Sequence, residues 1–150
     1  MSLFVDTSVW YAAADRGDTS NRRAKEILST GDGLVTTDHV LVETWLLLRH
    51  RLGRHPAERF WLGLQNGAAA IEAITAADLE RAWAIGEAFP DQDFSIVDRT
   101  SFAVMQRLTA ALTPDDYLPV QDPLEAELRI LDLRDSAPLQ GRIRLPHLGT

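Results

Sequence analysis

Cysteine is absent, which excludes a disulfide framework, and Lys25 is the single lysine among 15 basic residues. An arginine bias of that kind suits bidentate phosphate contacts and equally follows from codon usage. No apolar run approaches the length of a membrane span, so no membrane association is expected. The start of the chain lacks the basic region and cleavage site of a secretory signal, and a cytoplasmic location is the expectation. Internal repeats and low-complexity segments are missing too, so the organisation has to be read from periodicity and breakers. A surplus of positive charge is also lacking. The net charge of −7 leaves no overall basic footprint of the sort phosphate binding usually requires.

What the chain does have is 150 residues with 45% hydrophobic content, enough for one domain with a real core. Short strands alternate with helices. Leu3-Phe4-Val5 reads as a buried strand, Ser8 to Ala14 and Ser20 to Ser29 as helices, and Gly33 to Thr37 as a second strand. A helix capped by Asp38 runs to Arg49, and His55 to Leu64 is another. Ala70 to Ile74 gives a strand, Thr75 to Ala88 a helix, and a further helix opens near Ser95 before a strand at Ala110-Ala-Leu112. That alternation predicts an α/β/α sandwich with a mainly parallel central sheet. Trp45, Trp61, Leu62, Trp83 and the triplet Leu46-Leu47-Leu48 read chiefly as core, with some left over for an interface.

Four acids carry the chemical argument. Asp6 follows the first strand, where α/β sheets bind their ligands, in Val5-Asp6-Thr7-Ser8. Its competing role is helix capping. Glu43 lies on an apolar face with Val40 and Leu47, where a carboxylate needs a cation, a proton or a buried arginine. Asp98 closes a capping-box spacing with Ser95, and Asp91 and Asp93 crowd the same helix entrance, where like charges invite a cation. Thr75-Ala-Ala-Asp78 has the same spacing and is assigned no chemistry. Asp115 sits in Thr113-Pro-Asp-Asp116, either an ordinary turn or an acid at the end of a strand, and Asp116 is its rival for that place.

With Phe4-Val-Asp6-Thr-Ser-Val, Thr37-Asp-His-Val-Leu-Val-Glu43-Thr and Asp93-Phe-Ser-Ile-Val-Asp98-Arg-Thr-Ser-Phe-Ala-Val-Met105 in place, the chain resembles PIN-domain proteins. Specifically it resembles the VapC toxins of bacterial VapBC toxin–antitoxin pairs. The resemblance covers about residues 1–118 as the domain core and leaves 119–150, rich in proline, as an atypical extension. It implies a Mg²⁺-dependent endoribonuclease, with Mn²⁺ as the substitute ion. In that picture Asp6 and Asp98 hold the metal, Glu43 belongs to the same cluster, and Asp115 is the fourth member. Thr7, Ser8 and Ser101 support the cluster or contact phosphate. Mg²⁺ suits this donor set, being held by one or two carboxylates together with substrate phosphate. Either Glu43 or Asp115 serves as general base, and one metal or two remain open.

The resemblance further implies an RNA substrate, a homodimer, and neutralisation by a VapB antitoxin whose acidic tail meets basic clusters. Two such clusters stand out, Arg49, His50, Arg51, Arg54, His55 and Arg59 together, and Arg22, Arg23 and Lys25. Two other classes compete. A haloacid-dehalogenase-like phosphatase needs a second Asp two residues after the first, and Ser8 stands there. A non-catalytic PIN-like RNA- or protein-binding module would keep the fold and act by association.

Overall fold

The computed structural model describes residues 2–30 and 33–110. Within them the chain runs β1 (Leu3–Phe4), α1 (Thr7–Ala14), α2 (Asn21–Thr30), β2 (Leu34–Thr37), α3 (Asp38–Arg51), α4 (Arg54–Gln65), β3 (Ala70–Glu72), α5 (Ala76–Ala88) and α6 (Ile96–Ala110). The three strands form one parallel sheet in the order β1-β2-β3, with Phe4 opposite Val35 and Thr36 opposite Ile71. Parallel pairing requires crossovers, and the helices between the strands supply them.

Two cores flank this sheet and make the fold an α/β/α sandwich. One gathers Val5, Val9, Trp10, Ala24, Val40 and Leu64 from α1 to α4 and the strands. The other gathers Ile85, Phe102, Ala103 and Met105 from α5 and α6, with Phe89 and Phe94 packed against it. Phe4 touches both. On α3 the fully buried stripe is Val40, Thr44 and Leu48, four residues apart and hence on one helical face. Truncating Leu48 to alanine would cost about 2–5 kcal/mol on the usual scale for a core leucine.

β2 passes into α3 without a loop. Thr37 ends the strand and caps the helix, its hydroxyl accepting from Val40 N at 3.1 Å. The capping role expected of Asp38 therefore belongs to Thr37. Asp38 instead accepts from its neighbour His39 N at 2.9 Å and from Ile74 N at 3.1 Å, tying the start of α3 to the segment after β3. One residue earlier, the buried Thr36 hydroxyl donates to the carbonyl of Val5 at 2.9 Å. The short link into α4 turns at Gly53, whose φ of 95° favours glycine.

Two other expectations change. Ala110 closes α6 instead of opening a strand, and the rest of that strand, with the candidates at Leu128 to Leu133 and Arg142 to Leu145, lies outside the described residues. Several residues read as core are exposed: Leu46, Trp61, Leu62 and, at 70%, Trp83. Trp10 is the buried tryptophan, packed against Phe60 with ring centroids 5.5 Å apart. Finally, α5 and α6 approach closely at Gly86, where an added Cβ would lie 2.1 Å from Nη1 of Arg99.

Candidate active site

Asp6 immediately follows the segment from β1 and is the N-cap residue of α1, but its side chain makes no capping hydrogen bond. Its backbone carbonyl does the helical work, accepting from Val9 N at 3.1 Å. The capping explanation for this acid is thus set aside, and its carboxylate stands at the carboxyl end of the sheet.

The next residue joins two distant parts of the chain. Thr7, 8% exposed, donates its hydroxyl to Oε2 of Glu43 at 2.5 Å, so the start of α1 is hydrogen-bonded to the middle of α3. Among the described residues no arginine pairs with Glu43, the ion pairs there being Arg22 with Glu26 and Arg107 with Glu72 and Asp78. A hydroxyl satisfies one oxygen without neutralising the charge, which leaves Glu43 able to meet a cation.

Asp98 does form the capping box that its spacing announces. Oδ2 accepts from Ser95 N at 2.8 Å, and Asp98 N donates to Ser95 Oγ at 3.1 Å. Only one carboxylate oxygen is used in this way. Asp98 is half-buried, with Val97 beside it packed onto the core that contains Val5. α6 thereby starts at the same end of the sheet as Asp6. Asp91 and Asp93 are exposed in the preceding turn. Among the described residues no three His, Asp or Glu side chains already form a group that could hold a metal, and Asp115 with its rival Asp116 lies outside them.

The supporting hydroxyls divide. Thr7 is engaged by Glu43, whereas the Oγ atoms of Ser8 and Ser101 are buried without a hydrogen-bond partner. Buried polar atoms without partners are costly, and these two hydroxyl oxygens lie next to the acid-bearing segments as unused donors. With carboxylates and hydroxyls as donors, the residues present suit a hard divalent cation.

Sequence reasoning missed two features. His39 Nδ1 lies 3.1 Å from Oγ1 of Thr100, linking α3 to α6. The available signal was position, since His39 precedes Glu43 by one helical turn. The second is the surrounding of Asp78, which is 3% exposed and closes a capping box with Thr75. Both its oxygens meet Arg107 at 3.1 Å. Burial pushes this carboxyl up, but Arg107 and Thr75 outweigh burial and hold its pKa below the ordinary value.

The chain belongs to the PIN-domain family, whose PIN domain profile matches residues 3–120. In particular it is similar to the 23S rRNA-specific endonuclease VapC20 of Mycobacterium tuberculosis, in strains CDC 1551 and H37Rv. The identity is 37% over 106 residues, covering 70% of this chain and 81% of each relative. The crystal structure of M. tuberculosis VapC20, described as a sarcin-ricin loop cleaving toxin, superposes with a TM-score of 0.68 at 35% identity. That match covers 71% of this chain and 83% of the other.

Proposed function

We propose that this protein is a VapC-type toxin, a divalent-metal-dependent endoribonuclease that cuts RNA at the carboxyl end of its parallel sheet. As a member of this nuclease family it acts on phosphodiester bonds. The observation that carries the reading is the Thr7–Glu43 hydrogen bond, which joins two acid-bearing motifs separated by 36 residues. Asp6 and Asp98 hold the ion, Mg²⁺ in the first instance and Mn²⁺ as substitute, with Glu43 alongside and Asp115 as fourth acid. The ion, when bound, supplies Lewis acidity toward the phosphodiester. Thr7 fixes the Glu43 carboxylate, while Ser8 and Ser101 offer hydroxyls to the ion's shell or a phosphate oxygen. The general base is Glu43 or Asp115.

Ribosomal RNA is the first substrate to test, since the relatives are named for cutting it. A cognate VapB antitoxin is the proposed inhibitor. Supporting that partner, a cleft of about 540 Å³ is lined by Trp10 and Phe60 and by three cationic side chains, Arg16, Lys25 and Arg59, against one acid, Asp15. An acidic amphipathic segment would complement it. Exposed Val42 and Leu46 on α3, and Leu79 and Trp83 on α5, support a homodimer. No described helix is long and apolar enough to cross a membrane, and a cytoplasmic site of action is proposed. The core is taken as residues 1–118, with 119–150 as an extension.

The non-catalytic alternative has one observation in its favour, the lack of a ready-made metal group among the described residues. One experiment separates the two. Purified, antitoxin-free protein is incubated with total cellular RNA in Mg²⁺, in Mn²⁺, in EDTA, and as Asp98→Asn. Discrete cuts by wild type with metal, lost in EDTA and in the variant, are expected. Intact RNA with folded wild type would turn the assignment to the binding module.

A further inference from the structure

The hydrogen bonds around His39 bear on which of its ring nitrogens carries the proton. Thr100 is fully buried, and its hydroxyl donates to the carbonyl of Val97 at 3.2 Å. A hydroxyl has one proton. With its proton on the Val97 carbonyl, Thr100 Oγ1 accepts from His39 Nδ1, 3.1 Å away, and in that arrangement Nδ1 carries the hydrogen. In the neutral ring that leaves Nε2 as a bare acceptor. His39 is half-buried, and Nε2 has no hydrogen bond among the described residues.

The position of the ring is equally informative. His39 lies one turn before Glu43 on the same face of α3, and its partner Thr100 lies two residues beyond Asp98 on α6. The ring thus spans the helices that bring two of the proposed catalytic acids to the sheet's carboxyl end. In that tautomer the neutral ring presents an acceptor at Nε2, which pairs with a donor and not with a phosphate oxygen. Along an RNA backbone the only hydrogen-bond donor is the ribose 2′-hydroxyl, the group that also distinguishes RNA from DNA.

We propose that His39 is a specificity-determining residue whose Nε2 accepts a hydrogen bond from a ribose 2′-hydroxyl beside the cleaved linkage, with Thr100 holding the ring in the tautomer that makes this possible. The inference rests on the endoribonuclease reading above. Its consequence is that one 2′-hydroxyl near the cut is read by this side chain.

The test uses the full chain and a synthetic RNA spanning the cut mapped in total RNA, with single 2′-deoxy substitutions scanned across the nucleotides flanking that cut. Wild type should lose about tenfold in cleavage rate at one position, the scale of one lost hydrogen bond. His39→Asn keeps a donor near Nδ1 for Thr100 but has nothing at Nε2. It should cut the all-RNA substrate about tenfold more slowly and show no further loss on the sensitive 2′-deoxy substrate. His39→Gln, which reaches the Nε2 position, should recover part of the rate. Wild type unaffected by every 2′-deoxy position would overturn the proposal whether or not the variants fold. A folded His39→Asn that cuts as fast as wild type, or keeps its 2′-deoxy sensitivity, would overturn it too. Failure of the endoribonuclease reading looks different, because wild type would then cut no RNA at all.

Discussion

Two helices of this protein begin with the same local device. At α5 Thr75 and Asp78 exchange hydrogen bonds, and at α6 Ser95 and Asp98 do so with the same spacing. Their surroundings differ. Asp78 is buried, with both oxygens on Arg107 and one also accepting from Thr75 N and Oγ1 at 2.9 Å. Asp98 is half-buried, has no cation among the described residues, and commits one oxygen to its cap. A capping box names a helix start, and the groups that arrive from elsewhere in the fold decide whether its acid is consumed or left available.

The sharpest way to break this comparison is to neutralise each acid in turn. Asp98→Asn keeps an oxygen for Ser95 N and should leave thermal unfolding nearly unchanged. Its metal-dependent RNA cleavage should fall by at least about 100-fold, the upper end of what loss of a metal site's outer partners costs. Asp78→Asn should do the reverse. It strands Arg107, whose side chain is 37% exposed and can turn partly to water, so the destabilisation is about 2 kcal/mol, below that of a fully buried pair. Urea unfolding would register it, while cleavage per folded molecule stays at the wild-type level. If Asp78→Asn also lost cleavage per folded molecule, the division between the two caps would be wrong.

The same pair separates by pH. Because the folded protein holds the Asp78 pKa below its ordinary value, the stabilisation is fully present above the unfolded carboxyl's range. It is lost as pH falls through the lower folded value. Urea midpoints followed from neutral pH into that acid range should fall for wild type, and less steeply for Asp78→Asn.

Thr7→Val is a smaller perturbation. It removes the donor from Glu43 and should slow cleavage by about tenfold, the scale of one hydrogen bond to a charged group. Thr7→Ser should restore most of the rate. Smallest are the caps themselves. Ser95→Ala and Thr75→Ala should each lower stability by about 1 kcal/mol. The Thr75 change should cost more, because its hydroxyl also donates to the carboxylate that Arg107 holds.

Much of the architecture was legible because it is written in short-range patterns. The parallel sheet, the two capping-box helix starts and the apolar α3 follow from strand–helix alternation, spacing and apolar density. Legibility stopped where tertiary contacts choose between acceptable local options. Asp38 is as good a cap as Thr37 by type, but the segment after β3 claims its side chain through Ile74 N. Ala110 suits a helix as readily as a strand, and α6 simply continues through it. Trp83 and Leu46 carry the composition of a core yet face outward, since apolar content alone does not say which side of a helix the chain covers.

The candidate site divides along the same line. The positions of Asp6, Glu43 and Asp98 in the chain were visible as acids near strand ends and on an apolar helix. That Thr7 holds Glu43, and that His39 meets Thr100 across 61 residues, had no local signature at all.

The junction at Thr37, at once the last residue of β2 and the cap of α3, bears on motion. A loop there would give α3 its own slow wander relative to the sheet. Without one, the helix behaves as a lever welded to the strand, and the bond from Thr36 to the carbonyl of Val5 anchors that weld to the strand leading to Asp6. The distance between the acid after β1 and the acid on α3 is then governed by the stiffness of a hydrogen-bonded sheet.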